Sequence, residues 1–96
     1  MLDDEKILAK CWGEEISSLR RKMCRKQEEV AKAVGISSRW LYKIEYGLAS
    51  GRLYTYERIV KELGKDFTDV RSRVMQKVLL EQKIVKNTHL KKDIIK

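Results

Sequence analysis

The stretch Gln27–Gly47, QEEVAKAVGISSRWLYKIEYG, holds two short amphipathic segments around a single glycine, Gly35. In the first, Val30, Ala31 and Val34 share one helical face. Glu28 and Glu29 fill its first turn, where the helix dipole favours negative charge. Gly35 follows at the place where a helix often ends on a left-handed residue. In the second segment Leu41 and Ile44 face inward, Ser37 is placed to cap, and Gly47 stops the helix. A link this short sets the two helices at a steep angle and demands a small residue where they touch. Ala31 supplies that residue and Ile36 plugs the joint. The spacing predicts helices over 27–34 and 38–46, joined as a helix-turn-helix.

The outward side of the second helix carries Ser38, Arg39, Tyr42 and Lys43, with Trp40 and Tyr46 at the flanks. A core helix has no use for that mixture. An α-helix fits the major groove of B-DNA, and its N-terminal residues reach base edges. Arg39 and Lys43 are equipped to donate to guanine O6 and N7. Ser38 is adaptable, and Tyr42 is suited to a thymine methyl or a phosphate. Trp40 has two readings of equal weight, packing over the preceding helix or touching DNA.

Bulk properties agree. The chain has 96 residues, a formal net charge of +8 and no proline, so helices must stop at glycines and polar caps. That length suits one core. Apolar residues recur at three and four rather than alternating, which selects an all-α fold. The basic balance points to nucleic acid first and an anionic membrane surface second. No apolar run is long enough for a membrane span. The acidic start, MLDDEK, is wrong for a secretory or mitochondrial signal, so a soluble cytoplasmic protein is expected. Cys11 and Cys24 have no metal-ligand spacing and are expected to be reduced, largely buried small hydrophobes. No metal or cofactor is implied. His89, the only histidine, reads as a surface residue. Without a carboxylate cluster, or a histidine placed beside a cysteine or serine, an enzyme fits poorly.

Three further helices complete an expected five. The first covers about 4–23 with a stripe of Leu8, Trp12, Ile16, Leu19 and Met23. The fourth covers about 53–63, with Leu53, Tyr56, Ile59, Val60 and Leu63 inward and Gly64 at its end. The fifth covers about 68–86, and the tail NTHLKKDIIK is expected to fray or add a short turn. The expected division is a helix-turn-helix domain over 1–66 and a C-terminal helix with a basic tail over 67–96. Lys22 and Arg25 read as solubility charges.

From Gly13 to Gly64 the chain resembles the DNA-binding domain of the phage-repressor family, the Cro/CI or XRE-type helix-turn-helix proteins, with a lambda-repressor-like fold. The residues that carry the resemblance are Gly13, Ile16, Leu19 and Arg20, then QEEVAKAVGIS from Gln27, LYKIEYG from Leu41, and Leu63–Gly64. The resemblance implies that Gln27 contacts a DNA phosphate and that Ser38, Arg39, Tyr42 and Lys43 read bases. It also implies that Arg20 and Glu45 form a structural salt bridge. Arg52, in the loop after the third helix, is implied to hold the DNA backbone. Lys26, Trp40 and Tyr46 are read from their own side chains and positions as further backbone contacts. Three positions depart from the family pattern: Lys26 stands for a hydroxyl cap, Cys24 for a common glycine, and Trp40 for a small hydroxyl residue.

Repressors of this family bind two half-sites, which requires a two-fold partner. Apolar residues at 70, 74, 75, 78, 79, 80, 84 and 85 exceed what one narrow face can bury. The fifth helix is therefore expected both to complete the core and to dimerise, through Val70, Val74, Val78 and Leu79. The leading expectation is a sequence-specific double-stranded-DNA-binding transcriptional regulator, a repressor acting as a homodimer on an inverted repeat. No small-molecule ligand and no membrane contact are expected. The alternative is an antitoxin or other module that neutralises a protein partner, with DNA binding secondary.

Overall fold

In the computed structural model the backbone is described for residues 3–95 and side chains for residues 4–84. Five α-helices follow one another: α1 Asp3–Lys22, α2 Gln27–Val34, α3 Ser38–Glu45, α4 Leu53–Glu62 and α5 Phe67–Ile95. No strand occurs among the described residues. The fold is all-α, a helix-turn-helix on a helical scaffold with a C-terminal helical extension.

The core draws on every helix. Cys11, Trp12, Ile16 and Leu19 of α1 meet Val30, Ala31 and Val34 of α2 and Leu41 and Ile44 of α3. Tyr56, Ile59 and Val60 of α4, then Leu63, and Val70, Val74 and Val78 of α5 close it. Each large aliphatic side chain fully buried here contributes about 1.5–3 kcal/mol. Trp12 is the aromatic centre. Its ring stacks on Tyr56 at 4.4 Å and on Phe67 at 5.6 Å, tying α1 to α4 and to the start of α5.

The turn between α2 and α3 is built as its composition requires. Gly35 takes φ +88°, and its N–H and that of Ile36 both donate to the Ala31 carbonyl at 2.8 and 3.0 Å. A side chain at that φ costs about 1–2 kcal/mol. Ser37 Oγ accepts from Trp40 N at 3.0 Å and caps α3. Lys26, with a donor-only side chain, cannot cap α2 in that way. The reciprocal bond alone remains, from Lys26 N to Glu29 Oε1 at 2.9 Å.

Several sequence expectations need correction. Met23 lies outside the core because α1 stops at Lys22, and Leu53, at the first position of α4, is also exposed. Cys24 is exposed and free rather than buried, whereas Cys11 is buried and free. Cys24 adopts φ +55°, the left-handed conformation that glycine takes most readily at a helix end. The segment NTHLKKDIIK, expected to fray, continues α5 as helix to Ile95. Val85 and His89 have side chains outside the described residues. Arg25 is more than a solubility charge, since its guanidinium pairs with Glu62 of α4 at 3.0 Å.

Val70, Val74 and Val78 must also be withdrawn as dimer contacts. All three point into the core of their own chain and are essentially inaccessible. One stripe of α5 cannot both pack under α1 and meet a second molecule. The opposite side of the helix does present Met75, Leu79 and Leu80, the two leucines each 60% exposed.

Ion pairs fix α5 antiparallel to α1. The Glu15 carboxylate, buried on α1, receives Arg73 Nε at 3.1 Å and Lys77 Nζ at 3.1 Å from α5. Toward the other end Lys10 meets Glu81 at 3.3 Å and Gln82 donates to Asp4 at 3.1 Å. Sequence reading misses this clamp, because nothing local marks a pair 58 residues apart.

Candidate nucleic-acid interface

The exposed face of α3 follows from what the helix buries. Leu41 and Ile44 are fully enclosed, so the residues about half a turn away must face out. Ser38, Arg39, Trp40, Tyr42 and Tyr46 are exposed, and Lys43 is half-buried. Two cations one turn apart, Arg39 and Lys43, therefore share a face with two tyrosines one turn apart, Tyr42 and Tyr46. The tyrosine rings touch, with centroids 4.5 Å apart and planes inclined by 35°.

A buried polar knot holds α3 at its angle. Glu45 accepts from Arg20 Nε at 2.7 Å and Arg20 Nη2 at 2.9 Å. Gln27, at the first position of α2, adds a third bond from Nε2 to Glu45 Oε1 at 3.0 Å. Arg20 Nη1 also donates to the Arg25 carbonyl at 2.8 Å, bracing the link between α1 and α2. The Glu45 hydrogen bonds raise the Arg20 guanidinium pKa above its ordinary value. One carboxylate so joins α1, α2 and α3.

Gly13 completes the support. A Cβ there would stand 2.4 Å from the Ile44 carbonyl oxygen and 2.7 Å from that of Glu45. Only glycine lets α1 approach the last turn of α3 so closely.

These contacts place the sequence-derived residues. Arg20 and Glu45 form their bridge, and it is largely buried rather than a surface pair. Gln27 spends one amide N–H on Glu45 and is half-buried. Lys26 and Arg52 are exposed, and Arg52 lies immediately before α4. Sequence reading also overlooked Leu48, just after α3, and Tyr54 of α4, both largely exposed. Arg58 stands over the Tyr54 ring at 5.7 Å. Among the described residues no group of three or more His, Cys, Asp or Glu is arranged to hold a metal ion. No described helix is long and apolar enough to cross a membrane.

No protein-family model matches the chain, and no curated protein matches it in sequence. Solved structures do match. The chain shares its fold with ClgR. One structure of this clp gene regulator from Corynebacterium glutamicum aligns with a TM-score of 0.73 at 19% identity, covering 86% of this chain and 88% of that chain. Another ClgR structure from C. glutamicum aligns with a TM-score of 0.67 at 22% identity, covering 72% of this chain and 90% of the other. The likeness to ClgR is one of architecture, and the outward side chains of α3 must be read on their own chemistry.

Proposed function

We propose that this protein is a sequence-specific double-stranded-DNA-binding transcriptional regulator of the phage-repressor type, acting as a repressor. The observation that carries the reading is the division of α3: Leu41, Ile44 and Glu45 are enclosed while Ser38, Arg39, Tyr42 and Tyr46 are exposed. The helix-turn-helix, the formal charge of +8 and the fold shared with ClgR, a clp gene regulator, support it.

In this reading α3 enters the major groove, where each base pair shows a distinct pattern of donors and acceptors. Arg39 and Lys43 donate to guanine, and Ser38 and Tyr42 complete the base contacts. Lys26, Gln27, Trp40, Tyr46 and Arg52 hold phosphates and set the register. Two copies occupy the halves of an inverted repeat and occlude polymerase. The dimer contact belongs to the outer side of α5, at Met75, Leu79 and Leu80, because its inner valines are already buried.

The test is selection of bound duplex from a random pool, followed by binding measurements across salt concentrations. The reading expects an enriched inverted repeat and an affinity that falls steeply as salt rises, since each phosphate contact releases counterions. No enriched sequence, together with a flat salt response, overturns it.

A further inference from the structure

The contact between Tyr42 and Tyr46 gives α3 a more specific capability, and this inference rests on the DNA-binding reading above. The rings lie 4.5 Å apart at 35° and leave Tyr42 46% and Tyr46 60% exposed. Tyr42 therefore has a neighbour one turn along its own helix, and much of the ring area faces solvent. A tyrosine has only two side-chain torsions, so one packed neighbour goes far toward fixing its ring. The cations Arg39 and Lys43 share this outward face. The result is an apolar wall inside a basic surface.

The major groove of B-DNA offers one apolar group for such a wall, the C5-methyl of thymine. We propose that Tyr42 recognises a thymine methyl through its ring, and that Tyr46 is a positioning residue that holds the Tyr42 ring against it. Tyr46 is thereby moved from phosphate contact to support of a base contact. The competing use of Tyr42 is a hydroxyl bond to phosphate. The two uses differ chemically: a ring–methyl contact tolerates loss of the hydroxyl and depends on the methyl, whereas a phosphate contact behaves in the opposite way.

The experiment takes the full chain and a duplex enriched from a random pool. Each thymine of a half-site is replaced in turn by deoxyuridine, which lacks only the methyl. At one position the wild type is expected to bind about fourfold more weakly to the uracil duplex, the worth of one buried carbon. Tyr42→Phe and Tyr46→Phe retain that ratio. Tyr42→Ala abolishes it, and Tyr46→Ala reduces it toward one. A merely structural role for Tyr46 weakens both duplexes alike and leaves the ratio unchanged, which overturns the assignment. Equal binding of thymine and uracil duplexes at every position also overturns it, while specific binding itself still supports the DNA-binding reading. If no duplex is enriched, both fail.

Discussion

Arg20 grips Glu45 with two hydrogen bonds, at 2.7 and 2.9 Å, where the carboxylate side chain is only 2% exposed. The pair joins the last turn of α1 to the last turn of α3, so the pose of the candidate reading helix depends on it. Removing one member of such a pair leaves the other charge enclosed. Glu45→Ala is expected to cost about 3–5 kcal/mol. Glu45→Gln keeps the shape and the Gln27 side of the site and is expected to cost less. Urea denaturation followed by circular dichroism measures both, and a Glu45→Ala variant as stable as wild type contradicts the role given to the knot.

Gly13 is the second support of α3. A Cβ added there would run into two backbone carbonyls that cannot swing aside as a side chain would. Gly13→Ala is therefore destabilising by about 1–3 kcal/mol, although alanine favours a helix. In an exposed helix the same change stabilises. Thermal unfolding decides the sign, and a raised melting temperature would show that α1 and α3 are not so closely opposed.

Acid sensitivity follows from Glu15. Burial by itself raises its pKa, but hydrogen bonds from Lys77 and Arg73 outweigh that, and the net pKa lies below the ordinary 4.5. A depressed carboxylate contributes its stability above 4.5 and loses it as pH falls through the lower folded value. Because Arg73 and Lys77 are half-exposed, the contribution is only about 1–2 kcal/mol. Glu15→Gln is expected to be less stable than wild type at neutral pH, with the gap closing below the ordinary value. A gap that stays constant with pH would mean that the clamp between α1 and α5 does not form.

The two sides of α5 divide between the core and the proposed dimer contact. Val74→Asp places an unpaired charge in the core and is expected to cost about 4 kcal/mol or more, enough to unfold a small domain. Leu79→Glu alters an exposed position and should leave monomer stability within about 0.5 kcal/mol. Its effect is on mass: sedimentation should show wild type as a dimer and Leu79→Glu as a monomer. A dimer that survives both Leu79→Glu and Leu80→Glu places the interface elsewhere.

What could be read before the structure follows the range of the signals. The bounds of α2 and the start of α3 are written in adjacent residues: two glutamates, a small alanine, Gly35 and the Ser37 cap. The Arg20–Glu45 bridge came from resemblance, not from local chemistry. Glu15 with Arg73 and Lys77, Arg25 with Glu62, and Trp12 with Tyr56 join distant positions and leave no periodic trace. The end of α5 is hard to read because Asn87, Thr88 and His89 are weak helix formers. Yet no glycine or proline follows Gly64 to stop the helix. The valines of α5 read equally as core and as dimer contact, because hydrophobicity alone does not say which molecule covers a face. The outward residues of α3 are legible by subtraction, once Leu41 and Ile44 are recognised as inward.

The central claim, that the outward side of α3 reads DNA sequence, is tested most directly with Arg39→Ala and Lys43→Ala. Mobility shifts are measured on a selected duplex, on single-base variants of it and on unrelated DNA. Each substitution is expected to remove about 1–3 kcal/mol of discrimination at one base position while binding to unrelated DNA falls little. Unchanged affinity and unchanged discrimination in both variants would contradict the account.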